Sequence, residues 1–489
     1  MNARHLRTPV LAGLLGAVLC LGAAAQGRDT PPEPGPPRPL QIATPGEERL
    51  PNGLRVVVAE RPGVPLVSVR LLVASGAEQD PPGLAGRAAM TAGLLTRGTT
   101  RRSAPALAQA AEALGGTLVS NAGWDDAGVG ITVTRPMLAR AVSLVAEVVR
   151  QPAFAPSEIE RYRAQLLDEL KVAWSQPGTV AGLAAQRAYF GDSAYGHPSG
   201  GTPSSLAALK RADLVRQHRQ AWRPQQAVLV FAGGIALPEA VALARRHFGD
   251  WQAAAGVPAP ERPRLQGLPA DGPPLVVDLP GAGQAAVAMV VPAVGAADPG
   301  RFAAAVTNAV LGLGYSSRLN QEIRIKRGLS YGARSAPDLR REGGTLRMAV
   351  QTKNASAAEV VQLIAAELDA LADRPVEAAE LQARKAALIG GFGREVETTA
   401  GLAGEVGALA LAGLPLADLA QRIARLEAVE AAEVQAFART HFAAPGRRPA
   451  IAGVAAEFRD ALPDGGRGWR VVPAAGLEAA LGAGTASRP

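Results

Sequence analysis

The sequence predicts an α+β protein of two similar lobes, and three observations carry that prediction. Strand-like apolar runs alternate with runs of helical spacing along most of the 489 residues. Residues 251–274, rich in Gly, Pro and Ala with Pro258, Pro260, Pro263, Pro269, Pro273 and Pro274, break that alternation and read as a linker. The residues beyond the linker then repeat those before it. Val67–Val73 followed by Gly76-Ala-Glu-Gln-Asp-Pro matches Ala286–Val291 followed by Gly295-Ala-Ala-Asp-Pro, and Leu209 through Val230 resembles Leu426 through Gly453. A repeat of this size points to a duplicated unit. Two lobes leave a cleft in which an extended ligand sits.

The elements follow in order. Pro51-Asn52-Gly53 is a tight turn leading into a strand at Leu54–Ala59, and Leu66–Val73 is a second strand. Gly83–Thr99 has the small and apolar spacing of a buried helix ending at Gly98. Ser103–Leu114 is an amphipathic helix capped by Ser103. Thr117–Ala122 and Gly128–Val133 read as strands around Trp124-Asp125-Asp126, where adjacent carboxylates are either a cation site or, more simply, a turn. Helices follow at Ala139–Val149, at Ser157–Trp174 with Ser157 as cap, at Val180–Tyr189, at Ala212–Trp222 and at Pro238–Phe248, with a buried strand at Ala227–Gly234 before the last. In the second half a helix at Phe302–Leu313 takes the place of the Gly86–Leu95 helix.

Charged residues make up 19% and hydrophobic residues 48%, a balance that buries a core and excludes a disordered chain. Arg4 and Arg7, the apolar run Val10–Leu21 and Ala23-Ala24-Ala25 read as a secretory signal, the apolar run being too short for a spanning helix. A retained anchor and a lipid on Cys20 are the alternatives. Cys20 is the only cysteine, so a mature chain has no thiol nucleophile and no thiolate metal site. The net charge of +8 comes from scattered Lys and Arg without interleaved aromatics, which argues against nucleic acid as partner. The chain divides into a signal (1–25), a Pro-rich spacer (26–47), a first lobe (48–250), a linker (251–274), a second lobe (275–465) and a tail (466–489), which places the mature protein in the periplasm without an integral membrane segment.

Five stretches, in order and correctly spaced, resemble the M16 (insulinase or processing-peptidase) family. They are Leu50-Pro-Asn-Gly-Leu-Arg-Val, Tyr195-Gly-His-Pro with Gly201-Thr-Pro-Ser-Ser-Leu, Trp222-Arg-Pro-Gln-Gln-Ala-Val-Leu-Val, Leu311-Gly-Leu-Gly-Tyr-Ser-Ser-Arg-Leu-Asn-Gln-Glu-Ile-Arg, and Arg327-Gly-Leu-Ser-Tyr. The resemblance covers about residues 48–460. It implies two homologous lobes, each an antiparallel-rich sheet packed with helices, facing across a cleft. It also implies zinc-assisted peptide hydrolysis, in which two His residues at i and i+4 on one helix and a distant Glu hold the metal.

This sequence departs from that pattern. Register from Gly86-x-Ala88 and Gly98-Thr99 puts Ala89, Ala92 and Gly93 where the family has His, Glu and His. The five histidines, His5, His197, His218, His247 and His441, include no pair within four residues. Glu169 stands near the family's third-ligand position, either as a relic or as an ordinary solvated helix Glu, and the second reading is the stronger with its partners gone. Tyr162, seven residues earlier, stands where active members keep a supporting Glu. Arg324 and Tyr331, by contrast, match the Arg and Tyr with which active members reach the substrate carbonyl beside zinc. The combination resembles the non-catalytic subunit of bacterial M16 heterodimers. It implies a chain without a metal of its own, paired with a His-x-x-Glu-His homologue that carries zinc, the two enclosing a peptide that adds as a strand to a sheet edge, here Leu118–Ala122. The alternative is a catalytically silent peptide-binding or envelope scaffold. No Gly-x-Ser-x-Gly nucleophile elbow appears, so a serine hydrolase is disfavoured.

Overall fold

Pro51-Asn52-Gly53 closes the first hairpin, between β1 (Gly46–Arg49) and β2 (Arg55–Glu60). Gly53 takes φ 92°, a left-handed conformation that glycine adopts freely. Asn52 anchors the turn by donating from Nδ2 to the carbonyls of Phe248 (2.7 Å) and Trp251 (3.0 Å). The computed structural model in which this is seen describes residues 42–482 apart from 264, 266, 270 and 271. The signal read at 1–25, the spacer up to residue 41 and the tail beyond 482 lie outside the described residues.

From β2 the chain runs through β3 (Leu66–Val73), α1 (Arg87–Leu95) and α2 (Ala104–Glu112) into the hairpin β4 (Val119–Ala122) and β5 (Ala127–Thr134). Four helices follow, α3 (Leu138–Arg150), α4 (Pro156–Trp174), α5 (Pro177–Phe190) and the short α6 (Pro203–Ala208). The half ends with α7 (Arg211–Ala221), β6 (Ala227–Gly233) and α8 (Leu237–Phe248). The second half opens with β7 (Leu275–Asp278), β8 (Ala285–Ala293) and α9 (Arg301–Gly312), and continues with β9 (Ala333–Arg340) and β10 (Gly343–Thr352). Helices α10 (Ala357–Asp373), α11 (Ala378–Glu397), α12 (Thr399–Leu411), α13 (Asp418–Ala428) and α14 (Ala431–His441) lead to β11 (Arg448–Gly453), β12 (Arg470–Pro473) and α15 (Leu477–Ala480).

The strands form two six-stranded sheets, β1-β2-β6-β3-β5-β4 and β12-β7-β11-β8-β10-β9. From the second strand onward the two orders are the same topology, so the sequence repeat is a structural repeat. Each sheet is antiparallel except for β2–β6 in the first and β7–β11 and β12–β7 in the second. Residues 470–473, read from sequence as tail, supply the outermost strand of the second sheet.

Both faces of each sheet are covered at the centre, which is why β6 and β8 are apolar nearly throughout rather than alternating. One face of each packs on its own half's helices: Val69, Leu71 and Leu229 with α1 and α3, and Val287, Met289 and Leu346 with α9 and α10. The other face is covered by exchange. Helix α5, from the first half, lies on the second sheet, its Ala181, Ala184, Ala185 and Ala188 packed with Ala286, Ala288, Ala450 and Ala452. Helix α12, from the second half, lies on the first sheet, with Leu402, Ala403 and Val406 against Val57, Leu72 and Val230. Small residues on both sides let helix and sheet approach closely.

Two local readings are corrected. The helix at Gly83–Thr99 is shorter, Arg87–Leu95, because Gly86 sits at φ 86° and breaks the helical run before it. Ser157 does not cap its helix: Ala155 holds the N-cap place and Pro156, with its preset φ, starts the first turn. Among the described residues no helix is long and apolar enough to cross a membrane.

Candidate functional site

Helix α1 is held from its N-terminus by a buried carboxylate. Asp80 accepts from the backbone N–H of Gly86 (2.8 Å) and of Ala88 (2.9 Å), satisfying donors that the first turn leaves free. Arg87 lies beside it, Nε to Oδ1 3.7 Å. Burial outweighs these partners and pushes the Asp80 carboxyl up to about 7.

All of α1 except Ala89 is buried. Ala92 and Gly93 are part of the packing, and the Ala92 carbonyl accepts from Ser120 Oγ of β4's strand (2.8 Å). At Gly93 the space a side chain would use is already filled. A Cβ there would fall 2.2 Å from the hydroxyl oxygen of Tyr162 and 2.6 Å from its ring. Tyr162 projects from α4, its ring covered by the Arg97 guanidinium at 3.8 Å from the centroid. Arg97 Nη2 donates to Gln165 Oε1 (3.2 Å), and Gln165 Nε2 donates to Glu169 Oε1 (2.8 Å). Glu169 is thus an exposed helix residue serving a surface hydrogen bond. Ala89, Ala92 and Gly93 carry no donor atoms, and an aromatic ring fills the third position, so these residues do not fit a zinc ion. Among the described residues no group of three or more His, Cys, Asp or Glu is placed to hold a metal. His197 and His218 are structural: His197 Nε2 meets the Ala77 carbonyl (3.0 Å), and His218 meets the Val149 carbonyl (2.8 Å) with burial holding its imidazole down at about 4.

The second half keeps its polar pair open. Arg324 lies in a π-helical turn, Asn320–Lys326. Asn320 fixes that turn by donating to the Tyr315 carbonyl (2.7 Å) and accepting from the Ala333 N–H (3.1 Å), so the loops on either side are tied together. Glu322 pairs with the neighbouring Lys326 and Arg327. Arg324 has no carboxylate partner among the described residues; its guanidinium rests 4.8 Å from the Tyr315 ring centroid. Tyr331 is 90% exposed on the loop before β9, a large aromatic that the described residues leave uncovered.

Arg324 and Tyr331 both line a cavity of about 1090 Å³, walled by α5 through Gly178 and Gly182 and by β10 through Arg347 and Gln351. Ala89, Ala92, Gly93 and Glu169 do not line it. Within one chain the structure brings Arg324 and Tyr331 together but does not bring the degenerate helix to them. At the other sheet's edge, β4 pairs only with β5 among the described residues and Val119 is 61% exposed, while Leu118 of the expected edge Leu118–Ala122 lies before the strand and packs on the core.

Trp124-Asp125-Asp126 is neither a cation site nor a bare turn. Asp125 Oδ2 accepts from the Arg341 N–H (2.8 Å) and its backbone carbonyl from Arg341 Nη2 (2.6 Å), while the Tyr195 hydroxyl donates to Oδ1. Arg340, buried, stacks within 4.1 Å, 4.6 Å and 4.7 Å of the rings of Trp124, Phe190 and Tyr195. The β9–β10 hairpin of the second half is clasped in this way to the first. Sequence reasoning missed the clasp and also Arg334, Arg347 and Lys353 of the cavity. The available signal was the alternation on β10, where Arg347 and Gln351 fall on the face opposite Leu346, Met348 and Val350.

Comparison with known proteins bears on the family and the fold. Residues 55–202 match the family model described as insulinase (peptidase family M16), and residues 208–388 match the peptidase M16 inactive domain. A Mycobacterium leprae protein described as an uncharacterized zinc protease is 34% identical over 70% of this chain and 77% of its own length. A protein of the same description from Mycobacterium tuberculosis H37Rv is 30% identical over 83% of this chain and 93% of its own. Among solved structures, a peptidase M16 inactive domain from Pseudomonas fluorescens superposes with a TM-score of 0.77 at 24% identity, covering 84% of this chain and 98% of that one. A protease from Helicobacter pylori gives a TM-score of 0.78 at 18% identity, covering 84% and 100%. These structures share the fold.

Proposed function

The chain belongs to the M16 (insulinase) peptidase family, and from that premise we propose that it is an exported, non-catalytic subunit that completes a peptidase with a His-x-x-Glu-His homologue. The observation that carries the reading is the contrast between the two halves. On the helix that would bear a metal, Ala89, Ala92 and Gly93 carry no donor side chain and Tyr162 fills the space at Gly93, whereas Arg324 has no carboxylate partner among the described residues and Tyr331 is 90% exposed beside a large cavity. In an assembled pair the zinc and the general base belong to the homologue. This chain's part is to enclose the peptide and to offer two donors, a guanidinium and a phenol, to the carbonyl oxygen under attack. Asn320 pins the backbone on either side of them, bonding the Tyr315 carbonyl and the Ala333 N–H, so the turn that carries Arg324 and the loop that carries Tyr331 are tied together. The silent-scaffold reading accounts for the lost metal site but gives the open Arg324/Tyr331 pair nothing to do.

The test is metal analysis and peptide cleavage by the mature chain, alone and after co-purification with such a homologue. The expected result is no stoichiometric zinc and no cleavage alone, and zinc with cleavage in the pair. A chain that binds one zinc and cleaves by itself contradicts the reading.

A further inference from the structure

The charged residues lining the cavity that holds Arg324 and Tyr331 are all cations. Its lining includes Arg324, Arg334, Arg347 and Lys353 and not one Asp or Glu. Three other cations of this half each have a carboxylate at hand: Arg318 has Glu380 (2.8 Å), Lys326 has Glu322 (2.7 Å) and Arg301 has Asp418 (2.6 Å). None of the four cavity cations makes an ion pair among the described residues.

Two of them also stand close to each other. Arg334 on β9 is opposite Ala349 on β10, and Arg347 is two residues along the same face of β10. Like charges diagonal on one sheet face repel. The positions directly facing them are small, Ala336 and Ala349 on the sheet and Gly178 and Gly182 on the helix, and the carboxylate on this face of β9, Asp338, is paired with Arg340. A Cβ at Gly182 would sit 3.2 Å from Arg347 Nη1, so the glycine keeps the helix wall clear of that guanidinium. A concave surface with one sign of charge focuses potential and concentrates anions. Here the cations flank β9, a strand that pairs only with β10 among the described residues and whose outer side beyond Ala333 is open to an extended backbone.

We propose that this chamber selects acidic peptides, with Arg334, Arg347 and Lys353 receiving Asp and Glu carboxylates of the bound segment on either side of the carbonyl met by Arg324 and Tyr331. The inference rests on the peptide-enclosing role proposed above and names its substrate class.

The experiment is fluorescence anisotropy with the mature chain and two labelled peptides of equal length, one alternating Glu with Ala and one alternating Lys with Ala, with a single-stranded oligonucleotide as a third probe. The Glu peptide should bind about tenfold or more tightly than the Lys peptide at low salt, and the preference should shrink as salt rises. The double variant Arg334→Gln/Arg347→Gln should lose most of the preference, and Arg347→Glu should move it toward the Lys peptide, with the far-ultraviolet circular dichroism of each variant confirming the fold. Equal binding of the two peptides, a preference untouched by the double variant, or tighter binding of the oligonucleotide than of the Glu peptide overturns the proposal. The assay needs neither zinc nor the homologue. A lost preference alongside a mixture that still cleaves removes the acidic-peptide inference alone, and a retained preference alongside an inert mixture removes the subunit reading alone.

Discussion

Gly93 and Tyr162 share one space, so the helix has no room for a larger side chain at residue 93. A Cβ on residue 93 would meet the tyrosine hydroxyl at 2.2 Å. Gly93→Ala is therefore expected to lower the free energy of unfolding by about 1–3 kcal/mol, the usual cost of overpacking a tight interior. Denaturant titration reads the effect, and adding Tyr162→Ala should recover part of it in a non-additive pair. An unchanged midpoint for Gly93→Ala contradicts the shared-space account. That Ala89, Ala92 and Gly93 carry no side chain able to donate to a metal was legible from the sequence. That Tyr162 fills the vacated place was not legible. Its ring comes from a helix some seventy residues away in sequence, and only packing brings the two together. The cavity cations were missed for the same reason, since a lone Arg on a strand acquires meaning only when its cross-strand neighbours are known.

At the scale of elements, the clasp between the β9–β10 hairpin and the first half has a pH dependence of definite sign. Glu78 is buried at its edge, with Arg341 Nη1 at 3.4 Å. Burial pushes its carboxyl from 4.5 up to about 8, against the opposing charge of Arg341 and together with the like charge of Asp125. A carboxyl raised in the folded state contributes stability that is complete below its unfolded value and is lost as pH rises through its folded value. The contribution is thus present below about 4.5 and lost by about 8. Glu78→Gln should therefore gain thermal stability relative to the parent chain as pH rises across that window, followed by melting at a series of pH values. A difference between the two that stays flat with pH contradicts it. The individual elements were largely legible, because turns such as Pro51-Asn52-Gly53 and runs such as Val67–Val73 state their structure locally. Which sheet a helix covers is not a local property. Helix α5 reads as an apolar helix from Val180 to Tyr189, and nothing in that stretch says that it crosses to the other half.

For the molecule as a whole, the reciprocal exchange of α5 and α12 makes the duplicated halves one body, each completing the other's sheet. The duplication was visible in the sequence because its strand and turn patterns recur; the exchange was not, because it depends on packing faces rather than on spacing. The exchange has a functional consequence. It sets α5 as one wall of the cavity whose other wall carries Arg324 and Tyr331, so a helix from the first half shapes a cavity of the second. The central claim is that this pair acts on substrate held by a zinc-bearing partner. The most direct measurement is the rate of peptide cleavage by the purified heterodimer with this chain as wild type, Arg324→Ala or Tyr331→Phe. Loss of one donor to a developing oxyanion costs about 10²–10³ in kcat. The account predicts a fall of that order for Arg324→Ala, and a fall for Tyr331→Phe, with assembly of the pair unchanged. A heterodimer that assembles and cleaves at the wild-type rate with both residues replaced contradicts it.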